Sequence, residues 1–289
     1  MICIVPLSGV CGESAICEIR KTVPNADIVT MELDCSSFQS VRTFAKEYKK
    51  TYGNKLDVLL HNAGMASDDA SKTQDGHEVT WQTNVWSACL LTQLLLPTLA
   101  EGATEEAPSR IVFVSSVTCQ TPGFNIDDPE NSTYNHSGEE IPAYPFTKLA
   151  DWMISNALAK RLGQSTSWNG RVRTATAHPG WSSTDITTHL GPIMNTLLGM
   201  PASQGCLPQV RVSIDPTVPS GAFYGPKTPT KFSLQHAFTL LGILSFPVPE
   251  LYGSPAPSAI VSPFASDEEM CEKLLQKAEE IIGARFGIR

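Results

Sequence analysis

The chain alternates short apolar runs with longer stretches of helical spacing, separated by polar turns. Residues 27–33 form a β-rich run that ends at Asp34. Over 40–52 the residues Val41, Phe44, Ala45 and Tyr48 recur on one helical face. Residues 56–60 (LDVLL) read as a short strand covered on both faces, and they lead into His61-Asn62-Ala63-Gly64. A Leu-rich helix is predicted over about 79–99, and a buried strand over 110–114 runs into Ser115-Ser116. A third helix covers 144–162, a further strand covers 171–177 and stops at His178-Pro179-Gly180, and an amphipathic helix spans 267–282. Between 181 and 230, Pro192, Pro201, Pro208, Pro216, Pro219, Pro226 and Pro229 are expected to break up any regular element.

Strands alternating with helices predict βαβ units and a parallel sheet. The fold class expected is α/β, a doubly wound Rossmann-type parallel sheet with helices on both faces. With no internal repeat and no linker, residues 1–289 read as one domain, in which 181–263 would form the substrate pocket and its lid. An apolar content of 42% fits a chain that builds a core. The formal charge of −8 excludes the basic footprint of a nucleic-acid binder. Eight scattered cysteines, without CxxC pairs, read as reduced thiols and give no metal site. No secretory signal is evident, and the apolar stretch 238–246 is too short to cross a bilayer. The expectation is a cytoplasmic protein, with contact at a membrane surface as the alternative reading of that stretch.

Polar residues at the C-terminal ends of parallel strands face the crevice where such sheets bind ligands. Those ends are Asp34, Asn62-Ala63-Gly64, Ser115-Ser116 and His178-Pro179-Gly180. Tyr144 and Lys148 stand four apart on one helical face. A free phenol, with a pKa near 10, is a poor base at neutral pH, and a neighbouring ammonium lowers that value. Such a Tyr can take a proton from an alcohol or give one to a carbonyl. A hydroxyl such as that of Ser116 would position the reacting oxygen. Each feature alone has a blander reading as a turn or an exposed helical contact.

Taken in order, these pieces resemble the short-chain dehydrogenase/reductase superfamily and, within it, the retinol-dehydrogenase-like branch. The resemblance runs from about residue 13 to the C-terminus. It rests on Leu33-Asp34-Cys35, on 40–45 (SVRTFA), on 56–64 (LDVLLHNAG) and on Thr83-Asn84-Val85. It continues through 111–116, the Tyr144/Lys148 pair and His178-Pro179-Gly180 with Thr184. The resemblance implies that Tyr144 is the general acid/base, that Ser116 bonds the substrate oxygen, and that Asn84 holds a relay water for Lys148. It implies an NADP or NAD cofactor. Lys148 and Tyr144 would hold its nicotinamide ribose, Asp34 and Asn62-Ala63-Gly64 its adenosine side, and Pro179, Gly180 and Thr184 its nicotinamide end. The implied substrate is a hydrophobic small-molecule alcohol or carbonyl, and the branch includes monomers and homodimers, some on membranes.

The family opens with a strand and a Gly-rich phosphate-binding turn. Residues 6–12 (PLSGVCG) do not read as that turn, because 12–20 resembles the helix that follows the family's second strand. Residues 1–5 would then be the second strand, and the first strand, its loop and its helix are expected to be absent. The alternative to an enzyme is an inactive relative that binds a partner or nothing.

Overall fold

The computed structural model describes residues 2–4, 9–67, 71–131, 142–182, 200–227 and 253–288. Seven strands are described: β1 (Ile2–Ile4), β2 (Ile28–Thr30), β3 (Val58–His61), β4 (Ser109–Val114), β5 (Val172–Ala177), β6 (Ala222–Lys227) and β7 (Ser254–Pro257). The main helices are α1 (Gly9–Thr22), α2 (Phe38–Tyr52), α3 (Ser87–Ala100), α4 (Ala143–Gln164), α5 (Leu207–Ile214) and α6 (Glu268–Ile282). A π-helical segment, Gln82–Trp86, runs directly into α3. This is an α/β fold with a sheet that is mostly parallel. Strands β3 to β7 form it in the order β3-β4-β5-β6-β7, with only β7 antiparallel.

Strand β4 shows why the sheet is buried on both sides. Ile111 and Phe113 join the large core built with α3, α4 and α6, while Val112 turns the other way to pack with Ala175, Ala177 and α5's Val212. The period of two in a strand sends neighbours to opposite faces, so an unbroken apolar run needs cover on both. Helix α2 buries Val41, Phe44, Ala45 and Tyr48, the four residues expected from spacing, and Ser37 caps it by accepting from the Ser40 amide. Helix α6 is capped by Asp267, which accepts from the amides of Glu269 and Met270, and it stops at Gly283 in the left-handed region (φ 67°).

Three expectations are corrected. Strand β2 ends at Thr30, so Asp34 lies beyond the strand end. Its carboxylate accepts from the amide and hydroxyl of Ser36, closing a local turn ahead of α2. Strand β3 is only partly covered, with Leu60 42% exposed, because it is the outermost strand of its sheet. The Pro-rich stretch holds regular structure after all: α5 begins with Pro208 in its first turn, and β6 contains Pro226. Pro255 and Pro257 lie on β7, the edge strand, where a missing N–H costs little.

Strand β1 pairs in parallel with β2, with Ile2 opposite Ile28, and α1 connects them. Among the described residues no strand pairs with β3 on the side away from β4. Thr184 and the 238–246 stretch lie outside the described residues. No helix among the described residues is long and apolar enough to cross a membrane.

The buried Arg110 ties the sheet to α5. Its guanidinium donates to the carbonyls of Asp215 (2.8 Å) and Val212 (3.2 Å) at the end of the helix, where carbonyls lack intrahelical partners; that of Asp215 also accepts from the Val218 amide. Arg110→Ala is expected to destabilise the fold by about 2–3 kcal/mol, the cost of leaving buried carbonyls unmet. A shift in the urea midpoint at constant slope is the measurement.

Candidate active site

Strands β3, β4 and β5 run parallel, so the residues after them gather along one edge of the sheet. Asn62-Ala63-Gly64 follows β3, Ser115-Ser116 follows β4, and His178-Pro179-Gly180 follows β5. Gly180 takes φ 68°, a left-handed turn that favours glycine, and its amide donates to His178 Nδ1 at 3.2 Å.

Helix α4 brings Tyr144 and Lys148 to this edge. Its first turn tolerates Pro145, whose missing N–H would have had no helical partner. Lys148 is 4% exposed, and its Nζ donates to the Val114 carbonyl at 2.8 Å and to Asp151 Oδ2 at 2.9 Å. The same Nζ lies 5.7 Å from the centre of the Tyr144 ring. A methyl group at Gly64 would stand 3.3 Å from Lys148 Nζ and 3.5 Å from Asn84 Oδ1, so glycine there lets the loop after β3 approach the ammonium closely.

Asn84 sits in the π-helical segment, a geometry often found at functional sites. Its side chain grips Met65 from both directions. Oδ1 accepts from the Met65 amide and Nδ2 donates to the Met65 carbonyl, both at 2.9 Å. Nδ2 also donates to Thr147 Oγ1 at 3.0 Å, and Thr147 donates in turn to the Tyr144 carbonyl at 2.7 Å. The loop after β3, the π segment and the start of α4 are thereby joined through polar bonds.

The structure brings together Gly64, Asn84, Tyr144 and Lys148. Ser116 stands apart in its bonding: its hydroxyl accepts from the Thr118 amide and caps a 3-10 turn, Val117–Gln120, which packs against α4. Ser115 is the serine bonded to the pair, donating to the Lys148 carbonyl at 2.6 Å. Among the described residues, Asp34 bonds Ser36 and Ser40 rather than these groups.

Several participants have no sequence signature. His61 bonds Thr92 Oγ1 through Nε2 at 2.7 Å and lies against Phe113. Burial, helped by the charge of Lys148, lowers it to about 3, so it stays neutral. Glu130 accepts from Trp86 Nε1 (2.8 Å) and the Glu78 amide (3.0 Å) and pairs with His77 (2.7 Å). That set pins the start of the polar loop before Tyr144 to the base of the π segment. A broad surface depression of about 960 Å³ lies around Arg161, Glu279 and Phe286 and includes none of the candidate site residues.

A sequence profile described as short chain dehydrogenase matches residues 7–127, a span that includes Asn84 and Ser116 and ends before Tyr144. Retinol dehydrogenase 12 of Mus musculus is 35% identical over 176 residues, covering 61% of this chain and 52% of that protein. The profile match and this relative support placing the chain in the short-chain dehydrogenase/reductase superfamily, with retinol dehydrogenases among the proteins it is similar to. It spans about half the length of the curated relatives it matches. A crystal structure from Mycobacterium paratuberculosis superposes with a TM-score of 0.67 at 25% identity, over 98% of this chain and 84% of that one. The Pseudomonas aeruginosa RhlG/NADP complex, at 23% identity and a TM-score of 0.57 over 76% and 82% of the two chains, shares the fold.

Asn84→Ala removes three buried hydrogen bonds at once. It is expected to cost about 2–4 kcal/mol and to free the segment around Met65. Hydrogen exchange of peptides covering 62–67 reads the second effect.

Proposed function

We propose that this short-chain dehydrogenase/reductase interconverts an alcohol and a carbonyl on a hydrophobic small molecule, using NADP or NAD, with Tyr144 as general acid/base. The observation that carries the reading is the Lys148 ammonium, fixed by two oxygens and held 5.7 Å from the Tyr144 ring. An ammonium so placed can stabilise negative charge that develops on the reacting oxygens during proton transfer, an attraction that is stronger where water is excluded.

In the oxidation direction the phenolate oxygen of Tyr144 takes the hydroxyl proton of the alcohol, and in reduction the phenol returns it to the carbonyl oxygen. A bound nicotinamide dinucleotide would accept or supply the hydride. Lys148 would stabilise the charge on Tyr144, and Ser116, on the loop packed against α4, would orient the substrate oxygen. Asn84 would keep the floor of the site rigid through Met65 and Thr147.

The residues fit the ribose and nicotinamide half of such a cofactor. Gly64 brings the loop after β3 close to Lys148 Nζ, where a Cβ would meet the ammonium at 3.3 Å. Thr118 Oγ1 and Trp181 Nε1, on the loops after β4 and β5, are buried without a partner among the described residues. Lys148 and Tyr144 would hold the ribose, Asn62-Ala63-Gly64 with Asp34 the adenosine side, and Pro179, Gly180 and Thr184 the nicotinamide end. NADP, the cofactor of the RhlG complex, is the first to test, and NAD the second. The preferred substrate class follows the retinol-dehydrogenase relatives.

A second reading, an inactive relative that binds without turnover, is favoured by the outer edge of β3, against which no strand pairs among the described residues. One assay separates the two. The unaltered chain is expected to consume NADPH or NADH with a hydrophobic aldehyde, and Tyr144→Phe is expected to lower turnover by about a hundredfold or more with the circular dichroism spectrum unchanged. Equal turnover in both proteins overturns the role of Tyr144. No turnover by the folded, unaltered chain favours the second reading.

A further inference from the structure

Asp151 takes no part in the proton transfer described above, yet it is the anion bonded to Lys148 among the described residues. It lies one turn along α4 on the same face, 3% exposed, with Oδ2 2.9 Å from Nζ. Neither group reaches bulk water, and nothing in a spacing of i,i+3 requires a surface ion pair to be buried. We propose that Asp151 is a positioning residue for the Tyr144–Lys148 pair: its carboxylate keeps Lys148 an ammonium and aims it, in a site that would otherwise favour the neutral amine. The inference rests on the reading of Tyr144 and Lys148 given under the proposed function, and deepens it.

The physical argument starts from desolvation. A lysine buried without a counterion loses its proton several pH units early. Burial is the largest influence on Lys148 and acts in that direction, but Asp151, and then Tyr144, outweigh it and leave the ammonium more firmly protonated than an ordinary lysine. Among the described residues, no carboxylate other than that of Asp151 pairs with Lys148. From β3, His61 is held neutral at about 3. From α3, the Cys89 thiol is pushed well up, by burial first and then by Asp151 and Glu279. From β4 the Val114 carbonyl offers a dipole only. Burial also raises the Asp151 carboxyl, against the pull of Lys148, to about 6.

Geometry completes the case. Two fixed oxygens, Val114 O and Asp151 Oδ2, define where Nζ sits, while Gly64 allows the loop after β3 to close over it. A carboxylate there compensates the charge of Lys148 without itself being seen to bond Tyr144. The arrangement therefore acts on the phenol through the lysine.

The test is the ionisation of Tyr144, which needs neither cofactor nor substrate. Tyrosinate absorbance is titrated in the full chain and in Asp151→Asn, Lys148→Met and the double variant, each compared with its own Tyr144→Phe counterpart to isolate one ring. Asn keeps the shape and an accepting oxygen while removing the charge. The Tyr144 midpoint is expected to rise by about one pH unit or more, a tenfold change in proton affinity, in Asp151→Asn and in Lys148→Met. The double variant should add nothing to Lys148→Met, since Asp151 acts through the lysine. Asp151→Glu, which keeps the charge, should stay close to the unaltered chain. A rise in Lys148→Met with no rise, or a fall, in Asp151→Asn overturns the inference and leaves the Tyr–Lys pairing standing. No rise in either variant overturns both. Should Asp151→Asn fail to fold, carbon-13 NMR of the lysine ε-carbons in the unaltered chain decides. Lys148, assigned by its loss in Lys148→Arg, must stay an ammonium past the 10.5 of an ordinary lysine. Deprotonation between pH 6 and 9 overturns the proposal.

Discussion

Lys148 is held by two oxygens from two different parts of the chain, and the rest of the site takes its positions from that clamp. The Val114 carbonyl stands at the end of β4, whose place is set by the parallel ladder with β5. The Asp151 carboxylate comes from α4 itself. Ser115 adds a third tie, from its hydroxyl to the Lys148 carbonyl, so the backbone of the helix is anchored to the same strand end. A desolvated ion pair of this kind costs about 3–5 kcal/mol when one partner is removed, because the other is left charged in an apolar setting. The clamp is therefore a structural constraint as well as a chemical one.

Around it the polar bonds form a short chain of positions. Met65, Asn84, Thr147 and the Tyr144 carbonyl are linked in order, so the loop after β3 and the first turn of α4 move together or not at all. The π turn at Gln82–Trp86 interrupts the regular helix where Asn84 enters this network, and Glu130 braces the same turn from the other side through Trp86. On the opposite side of the sheet, Arg110 secures α5. The crevice edge is thus the most heavily bonded end of the described structure, while β3, with Leu60 exposed and no strand beyond it among the described residues, is its open side.

Much of this was legible in the chain itself. The helical face of Val41, Phe44, Ala45 and Tyr48, the buried strand ending at Ser115-Ser116 and the four-residue step from Tyr144 to Lys148 are local patterns, and local patterns survive folding. Other features depend on what packs against what. Asp151 looks like any acid three residues from a lysine on a helix, and only tertiary contact shows the pair to be buried. Ser115 and Ser116 are indistinguishable until the strand's direction decides which hydroxyl meets α4. Pro208 and Pro226 read as breakers because a sequence does not reveal that one falls in the first turn of a helix and the other near the end of a strand, where proline is tolerated. Asp34 was placed at a strand end because the β-rich run continues past Thr30, whereas Asp34 closes a local turn onto Ser36 before α2.

The central claim is that the Lys148 clamp forms the ribose-binding end of a nicotinamide dinucleotide site. Titrating the full chain with NADPH, then NADH, while following cofactor fluorescence, tests it most directly, with Lys148→Met as the comparison. The account predicts saturable binding that weakens by about tenfold or more in the variant, a loss of about 1.4 kcal/mol. A folded chain that shows no saturable change with either cofactor, or binds equally well without the lysine, would contradict it.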